Sequence, residues 1–199
     1  MAIDAYMYFQ DYGNTYQPSE SQVDVSIVND KDQLWKDPKL GFKDAAGATP
    51  KGLFEVEDFS FDIEQTLNIG SQSSGAGAGK VTFNPFSITR KIDQLSPILF
   101  ERACSGTPFQ RVGLGARKSA GGNTSGIIYL TFIFKLVAVK TMSYAYDDES
   151  PKETVTFEYG AVQITYAKQK PDGGIEKQFP AGWNRVRNVQ DRNPDPDLK

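Results

Sequence analysis

The residues with the most chemical promise are Gly75-Ala76-Gly77-Ala78-Gly79-Lys80, a glycine-rich run ending in lysine. A phosphate-binding loop needs Gly, four residues, then Gly-Lys-Ser/Thr, with a helix behind it whose free N–H groups face the phosphate. Counting back from Gly79-Lys80 puts Ser74 where the first glycine belongs and Val81 where the magnesium-binding hydroxyl belongs. The residues that follow are patterned as a strand. Lys80 reads as a solvated charge at the foot of a loop, and no cofactor is expected.

The carboxylates Glu55, Glu57, Asp58, Asp62 and Glu64 could in principle pair for glycoside hydrolysis, but acids alternating with aromatics on a strand mark a solvated face. Asp147-Asp148-Glu149 lacks the spaced oxygen ligands of a calcium loop and reads as a solvated turn. Cys104 falls near a helix C-terminus, the wrong end to lower a thiol pKa, and is expected as a small buried packing residue. Asn123-Thr124-Ser125 matches a glycosylation acceptor, a common pattern that matters only on a secretory route. The chain contains 0 histidines, which removes every imidazole base, imidazole ligand and His-based triad. No catalytic and no metal-binding residues are expected.

Lysine and arginine number 22 against 25 acids, so the net charge of -3 offers no footprint for nucleic acid or an anionic membrane. The strongest apolar run, residues 127–139, is interrupted by Lys135, which argues against stable membrane insertion. The opening MAIDAYMYF has no basic region followed by a long apolar run and does not read as a cleavable signal peptide. A cytoplasmic origin is the expectation.

What could hold such residues is a mostly β body. Residues 2–9 read as a first strand, and 13–52 as an elaborated surface loop, with Val23–Ile27 a short strand-like piece and Trp35, Leu40 and Phe42 as anchors. In 53–63, Leu53, Phe59, Phe61 and Ile63 fall at even separations, as on one side of a strand. In 81–92, Val81 and Phe83 share one parity and Phe86, Ile88, Arg90 and Ile92 the other, which predicts a bulge at Asn84-Pro85. Ser96 as N-cap, Pro97 at N1, a stripe of Ile98, Leu99, Arg102 and Ala103, and Gly106 as terminator predict a short helix. Its length requires something to pack on. Residues 127–146 are too β-branched and aromatic for a helix, and apolar on both faces. In 154–169 the parity changes again and predicts a second bulge at Gly160; the tail from Asp191 is expected to be disordered. The pattern favours a compact β-barrel or tightly packed orthogonal sheets.

The run GAGAGKVTFNPFSITRKIDQLSPILFERACSG, residues 75–106, resembles the haemolysin-coregulated proteins, which form the inner tube of bacterial type VI secretion systems. The resemblance extends to Met1-Ala2-Ile3-Asp4, to Arg117-Lys118 before a glycine turn, to 154–174 with Pro171-Asp172-Gly173-Gly174, and to Gly182-Trp183-Asn184. It covers residues 1–12 and about 53–190, so that 1–190 is expected as a single tube domain with an insertion at about 13–52 and a tail at 191–199. The resemblance implies a mainly β fold: a compact β-barrel of two crossed antiparallel sheets with one short helix packed on its side. It also implies a homo-hexamer, rings stacked into a tube, a contractile sheath, a trimeric spike and effector proteins as partners, and secretion without a cleavable signal peptide. No nucleic acid partner is implied. On this reading Gly70, Ser73, Gly75, Ala76, Gly77, Gly79 and Lys80 lie at a subunit or ring contact, where a glycine arm becomes ordered against a neighbour. Arg117, Lys118, Tyr146, Asp147 and Asp148 supply a polar rim, and residues 29–44 decorate the outer wall or a ring face. Alternatives are the tube subunit of a phage-like or extracellular contractile injection system, and a monomeric carbohydrate-binding or adhesin-like module using exposed aromatics such as Trp35. An enzyme with paired carboxylates is a more distant one.

Overall fold

The computed structural model describes residues 3–13, 15–18, 20, 53–68, 77–118, 127–146, 150–171, 176 and 179–192. The expected strand at 23–27, the anchors Trp35, Leu40 and Phe42, and the segment 29–44 lie outside those residues. So do Gly70, Ser73, Gly75, Ala76, Asp147 and Asp148. The strands are β1 (Ile3–Gln10), β2 (Phe54–Val56), β3 (Asp58–Ser60), β4 (Ile63–Asn68), β5 (Gly77–Phe83) and β6 (Phe86–Lys91). After helix α1 (Ser96–Ser105) come β7 (Phe109–Lys118), β8 (Ile127–Tyr146), β9 (Pro151–Tyr166), β10 (Phe179–Asn184) and β11 (Val189–Gln190).

Nine strands form one sheet in the order β11-β10-β9-β8-β7-β1-β2, with β6 also on β9 and β3 on β6. The sheet forks because β8 and β9 are long, 20 and 16 residues. One edge of β9 therefore holds two shorter strands in succession: β6 along Lys152–Phe157 and β10 along Ala161–Tyr166. Gly160 sits at the fork. Its carbonyl accepts from the Arg185 and Val186 N–H groups, at 2.8 and 3.3 Å. A Cβ there would stand 3.1 Å from Leu136 Cβ and 3.2 Å from Val186 Cγ2. Close approach, and not a bulge, selects this glycine. Against β9, the register shift lies on β8, between Val139 and Thr141.

The sheet curls until strands far apart in its order touch. Phe9 of β1 lies 5.7 Å, ring to ring, from Phe157 of β9, and 5.9 Å from Phe54 of β2. Phe86, Phe134, Val155, Val139 and Leu99 complete a fully packed interior, so that the hydrophobic term is concentrated on one face.

The curl does not close, which corrects the expected barrel of two crossed sheets. β2 pairs with β1 and β3 with β6, and the ladder passes between them only through a bend at Glu57, whose N–H donates to the Thr89 carbonyl at 2.9 Å. A chain that bends there cannot run one straight ladder with both neighbours. The second sheet is only the two-stranded ribbon β4-β5. The same bend corrects the 53–63 pattern. Phe54 and Val56 are buried on one side of it and Phe59 and Phe61 pack beyond it, while Ile63 is 54% exposed. The parity change at Asn84-Pro85 marks the passage from ribbon to main sheet, where Asn84 N–H donates to the Asp62 carbonyl at 3.2 Å.

Helix α1 packs Leu99 into the core and ends at Gly106, in the left-handed region at φ 67° with its N–H on the Arg102 carbonyl at 2.9 Å. Leu95, and not Ser96, occupies the N-cap, without a side-chain cap bond. Asp93 takes over the duty, its carboxylate accepting from Leu95 N–H at 2.8 Å. Arg102 ties the last turn to Asp11 at 2.8 Å and lies over Phe109. Cys104 is exposed, against its expected burial, because it lies off the face that holds Leu99. The start of the tail is held. Asp191 N–H donates to the Gly182 carbonyl at 3.0 Å and Gln163 donates to the Arg192 carbonyl at 2.7 Å. Residues 193–199 lie outside the described set.

Candidate assembly surfaces

The glycine run enters the fold as a strand. Gly77, Gly79 and Lys80 belong to β5, which pairs with β4 from Asn68↔Gly77 to Ile63↔Phe83. Between Gln65↔Val81 and Leu67↔Ala78 the two residues Gly79 and Lys80 oppose the single Thr66. That is a bulge, with glycine in its first position. The base of the ribbon is fixed to the body: the Asn84 side-chain amide donates to the Asp62 carboxylate at 2.5 Å, and the Arg185 guanidinium lies 5.3 Å from the Phe83 ring centre. Arg185 also donates to the Tyr159 carbonyl at 2.8 Å and to Glu158 at 3.3 Å. Burial raises the Glu158 carboxyl, but hydrogen bonds from Lys140 and Arg185 outweigh it and leave the group below its ordinary value.

The expected rim residues divide between the two ends of β8. Arg117 and Lys118 close β7 opposite Ile128 and Ile127, where β8 begins. Arg117 donates to Asp4 at 3.1 Å and lies over Tyr6; the Lys118 ammonium sits 4.3 Å from the Tyr129 ring centre. Tyr146 stands at the other end of β8, paired with Pro151 and 83% exposed. These residues form two separate surfaces and not one site.

Sequence reasoning missed a third surface. On the outer side of β3, β6, β9 and β8, cross-strand pairing places Ser60, Ser87, Thr156 and Thr141 in one row, and Asp58, Thr89, Thr154 and Ser143 in the next. All eight are exposed or half-buried. Thr89 and Thr154 hydroxyls meet at 3.2 Å, Thr141 and Thr156 hydroxyls pair, and Lys140 bonds Glu158 beside them at 2.9 Å. The i, i+2 spacing of Ser87-Thr89, Thr141-Ser143 and Thr154-Thr156 was the available signal. Short hydroxyl side chains opposite one another stabilise a sheet without requiring a cover.

Among the described residues no group of three or more His, Cys, Asp or Glu is arranged to hold a metal ion. No described helix is long and apolar enough to cross a membrane.

Comparison with known proteins agrees in kind. The family model "Type VI secretion system effector, Hcp" matches residues 44–166. Protein hcp1 of Pseudomonas aeruginosa is 32% identical over 112 residues, which are 56% of this chain and 69% of that protein. A solved type six secretion system protein superposes with a TM-score of 0.72 at 21% identity, covering 96% of this chain and 100% of the other. The Hcp1 protein of the E. coli EAEC 042 pathovar gives 0.64 at 17% identity, covering 92% and 99%. With its family match spanning more than half of its length, the chain belongs to the Hcp family of the type VI secretion system, a family of structural tube proteins and not of enzymes.

Proposed function

We propose that six copies of this chain close into a ring, that rings stack into the tube driven out by a contractile sheath, and that a trimeric spike caps it. The observation that carries this reading is the unfinished sheet. β11 and β2 end the main sheet without a partner strand among the described residues, and the β4-β5 ribbon stands apart as a separate two-stranded sheet. Exposed edges invite pairing and isolated ribbons are marginal in water, so a neighbour that covers both stabilises all three. Gly77, Gly79 and Lys80 on the ribbon then meet an adjacent copy, as do Gly70, Ser73, Gly75 and Ala76 before them. Arg117-Lys118 at one end of β8 and Tyr146 with Asp147-Asp148 at the other suit a head-to-tail contact between successive rings, in which unlike surfaces meet. The hydroxyl rows suit the wall of a water-filled channel for effector proteins: they offer no large apolar group to hold a passenger. The subunit is stored in the cytoplasm and leaves with the tube.

Mass measurement with negative-stain microscopy tests the ring. Rings of about six monomer masses support it, and a strict monomer at high concentration overturns it. The ribbon contact has its own test, a cysteine at Ala76 in a Cys104→Ser background, since the native thiol is exposed. Inter-subunit crosslinks are expected in assembled rings; their absence removes the contact.

A further inference from the structure

Strands β3 and β6 form one antiparallel pair whose two ends carry different things. At the Phe86 end the pair runs on into the β4-β5 ribbon. That end is fixed at the level of Tyr159: its hydroxyl donates to the Asn84 carbonyl at 3.2 Å, and Arg185, over Phe83, donates to the Tyr159 carbonyl at 2.8 Å. At the Lys91 end, level with Lys152 and Glu153 of β9, lies a cleft of about 530 Å³. Tyr159 and Glu153 stand roughly 20 Å apart along the extended strand. The ribbon therefore leaves the body at the end remote from its own cleft.

Glu20, Glu55, Glu57 and Asp93 line the cleft against Arg90 and Lys91. Asp93 is held by Arg90, and Glu57 by Lys152 at 3.2 Å, which still leaves acid in surplus. Acidity alone would mark only a solvated surface. Arg90 adds a second and different demand. It is 1% exposed, and its guanidinium lies 4.8 Å from the Phe54 ring centre. Nε donates to the Lys91 carbonyl at 3.1 Å and Nη2 holds Asp93, but Nη1 has no hydrogen-bond partner. A buried donor without an acceptor is costly, and an acceptor brought in through the cleft removes that cost. The cleft thus suits a segment that offers a carbonyl at depth and a cation at the mouth.

We propose that the ribbon of a second copy enters this cleft, a main-chain carbonyl of Gly77-Ala78-Gly79 accepting from Arg90 Nη1 and Lys80 meeting the acids at the mouth. The proposal rests on reading the ribbon as an assembly contact, and it names the surface that receives it. Gly77-Ala78-Gly79 carries no side chain larger than a methyl, so its carbonyls can approach a buried group closely. Lys80 follows at once with the opposite charge to the lining. β5 pairs with β4 alone, which leaves its other edge with main-chain groups to offer. Giving and receiving surfaces sit at opposite ends of one strand pair. Each copy then gives its ribbon to the next and receives one from the copy before, the head-to-tail geometry that closes a ring or builds a stack.

Full-length chain assembled from isotopically heavy and light copies, treated with a water-soluble carbodiimide, tests the contact. The reagent joins a lysine amine to a touching carboxylate with loss of water, and mass spectrometry reads which copies are joined. Heavy–light links from Lys80 to Glu20, Glu55 or Glu57 are expected, with their complete loss in Lys80→Arg, which keeps the charge but forms no such amide. Charge reversal is a second readout: Lys80→Glu and Glu55→Lys should each weaken assembly, and the two in one chain should restore it. Links only within copies of one isotope, links from Lys80 to acids elsewhere, links that persist in Lys80→Arg, or no rescue by the double reversal would each overturn the cleft as receiver. If Lys80 gives no link to the cleft while the cysteine at Ala76 still joins copies, the cleft is wrong and the ribbon contact stands. If both fail, the reading of the ribbon falls with it.

Discussion

The two faces of β9 share one backbone and one register, yet they obey different rules. Inward, Val155, Phe157 and Tyr159 are buried against Phe86, Ile88 and Val139. Outward, Thr154 and Thr156 meet only other short hydroxyl side chains, and Glu158 meets Lys140 and Arg185. Over 153–159 successive residues thus face the core and the surface in turn, because side chains alternate across the sheet. Along this half of the strand the apolar burial is concentrated on one side, whereas Gly160, Ala161, Val162 and Gln163 beyond it are buried on both faces. A polar wall over β3, β6, β9 and β8 becomes possible there.

The sharpest way to break that comparison is to remove an inward ring. Phe157 is fully buried, with Phe9 at 5.7 Å and Phe86 at 6.2 Å between ring centres. Phe157→Ala should destabilise the fold by about 3–5 kcal/mol, read from urea unfolding at fixed pH. A loss under about 1.5 kcal/mol would mean that the interior is not the seat of stability. Next in size is Gly160→Ala at the fork. Its backbone conformation accepts alanine, but the new methyl would press on Leu136 at 3.1 Å and Val186 at 3.2 Å. Overpacking of this kind should cost about 1–2 kcal/mol, with faster amide exchange at Arg185 and Val186, whose N–H groups bond Gly160. Unchanged exchange there would show that the fork is held by β10 alone.

Gly106→Ala comes third. The site is open in space, so only the left-handed φ of 67° opposes a side chain. The expected loss is about 1 kcal/mol, confined to α1 as seen by amide exchange. A neutral result would mean that the helix end relaxes without its cap, and that docking through Leu99 and the Arg102–Asp11 pair carries α1 by itself.

Elements whose local pattern agreed with their packing were legible in the chain. Pro97 and Gly106 bracket α1, and the β-branched run 127–146 is one strand. What escaped was set by partners distant in sequence. Glycine has several uses, and Gly160 was chosen by Leu136 across the ladder and Val186 in a later turn, not by a bulge. The bend at Glu57 answers to β1 on one side and β6 on the other, so parity counting through 53–63 ran two short strands together. Barrel closure was out of reach for the same reason, being a matter of where ladders stop. Cys104 was misplaced because a helix one face wide leaves most of its residues outside. For the surfaces, resemblance supplied the family, while the proposed ring contacts are argued from the unfinished edges. The hydroxyl rows were visible only as i, i+2 spacings in three separate segments, whose alignment needed the register.

The smallest expected effect bears most directly on the two-faced strand. Thr156→Val keeps the shape and the β-branching of the side chain and removes only the hydroxyl that pairs with Thr141. Val is favoured in strands as much as Thr is, and the position is half-buried among short polar neighbours. The unfolding free energy should change by less than about 0.5 kcal/mol in either direction, against the several expected for Phe157 one position along. A double cycle with Thr141→Val isolates the pair, whose coupling should stay within about 0.5 kcal/mol. If Thr156→Val alone costs as much as Gly106→Ala, the outer hydroxyls are part of what holds the strands together, and a wall free of structural duty no longer describes this face. If stability is unchanged while ring formation is lost, the face is a contact between copies and the channel must be lined by another. Only unchanged stability together with intact rings leaves the hydroxyl rows where the two-faced reading puts them, on the open side of a sheet whose cohesion lies mostly beneath.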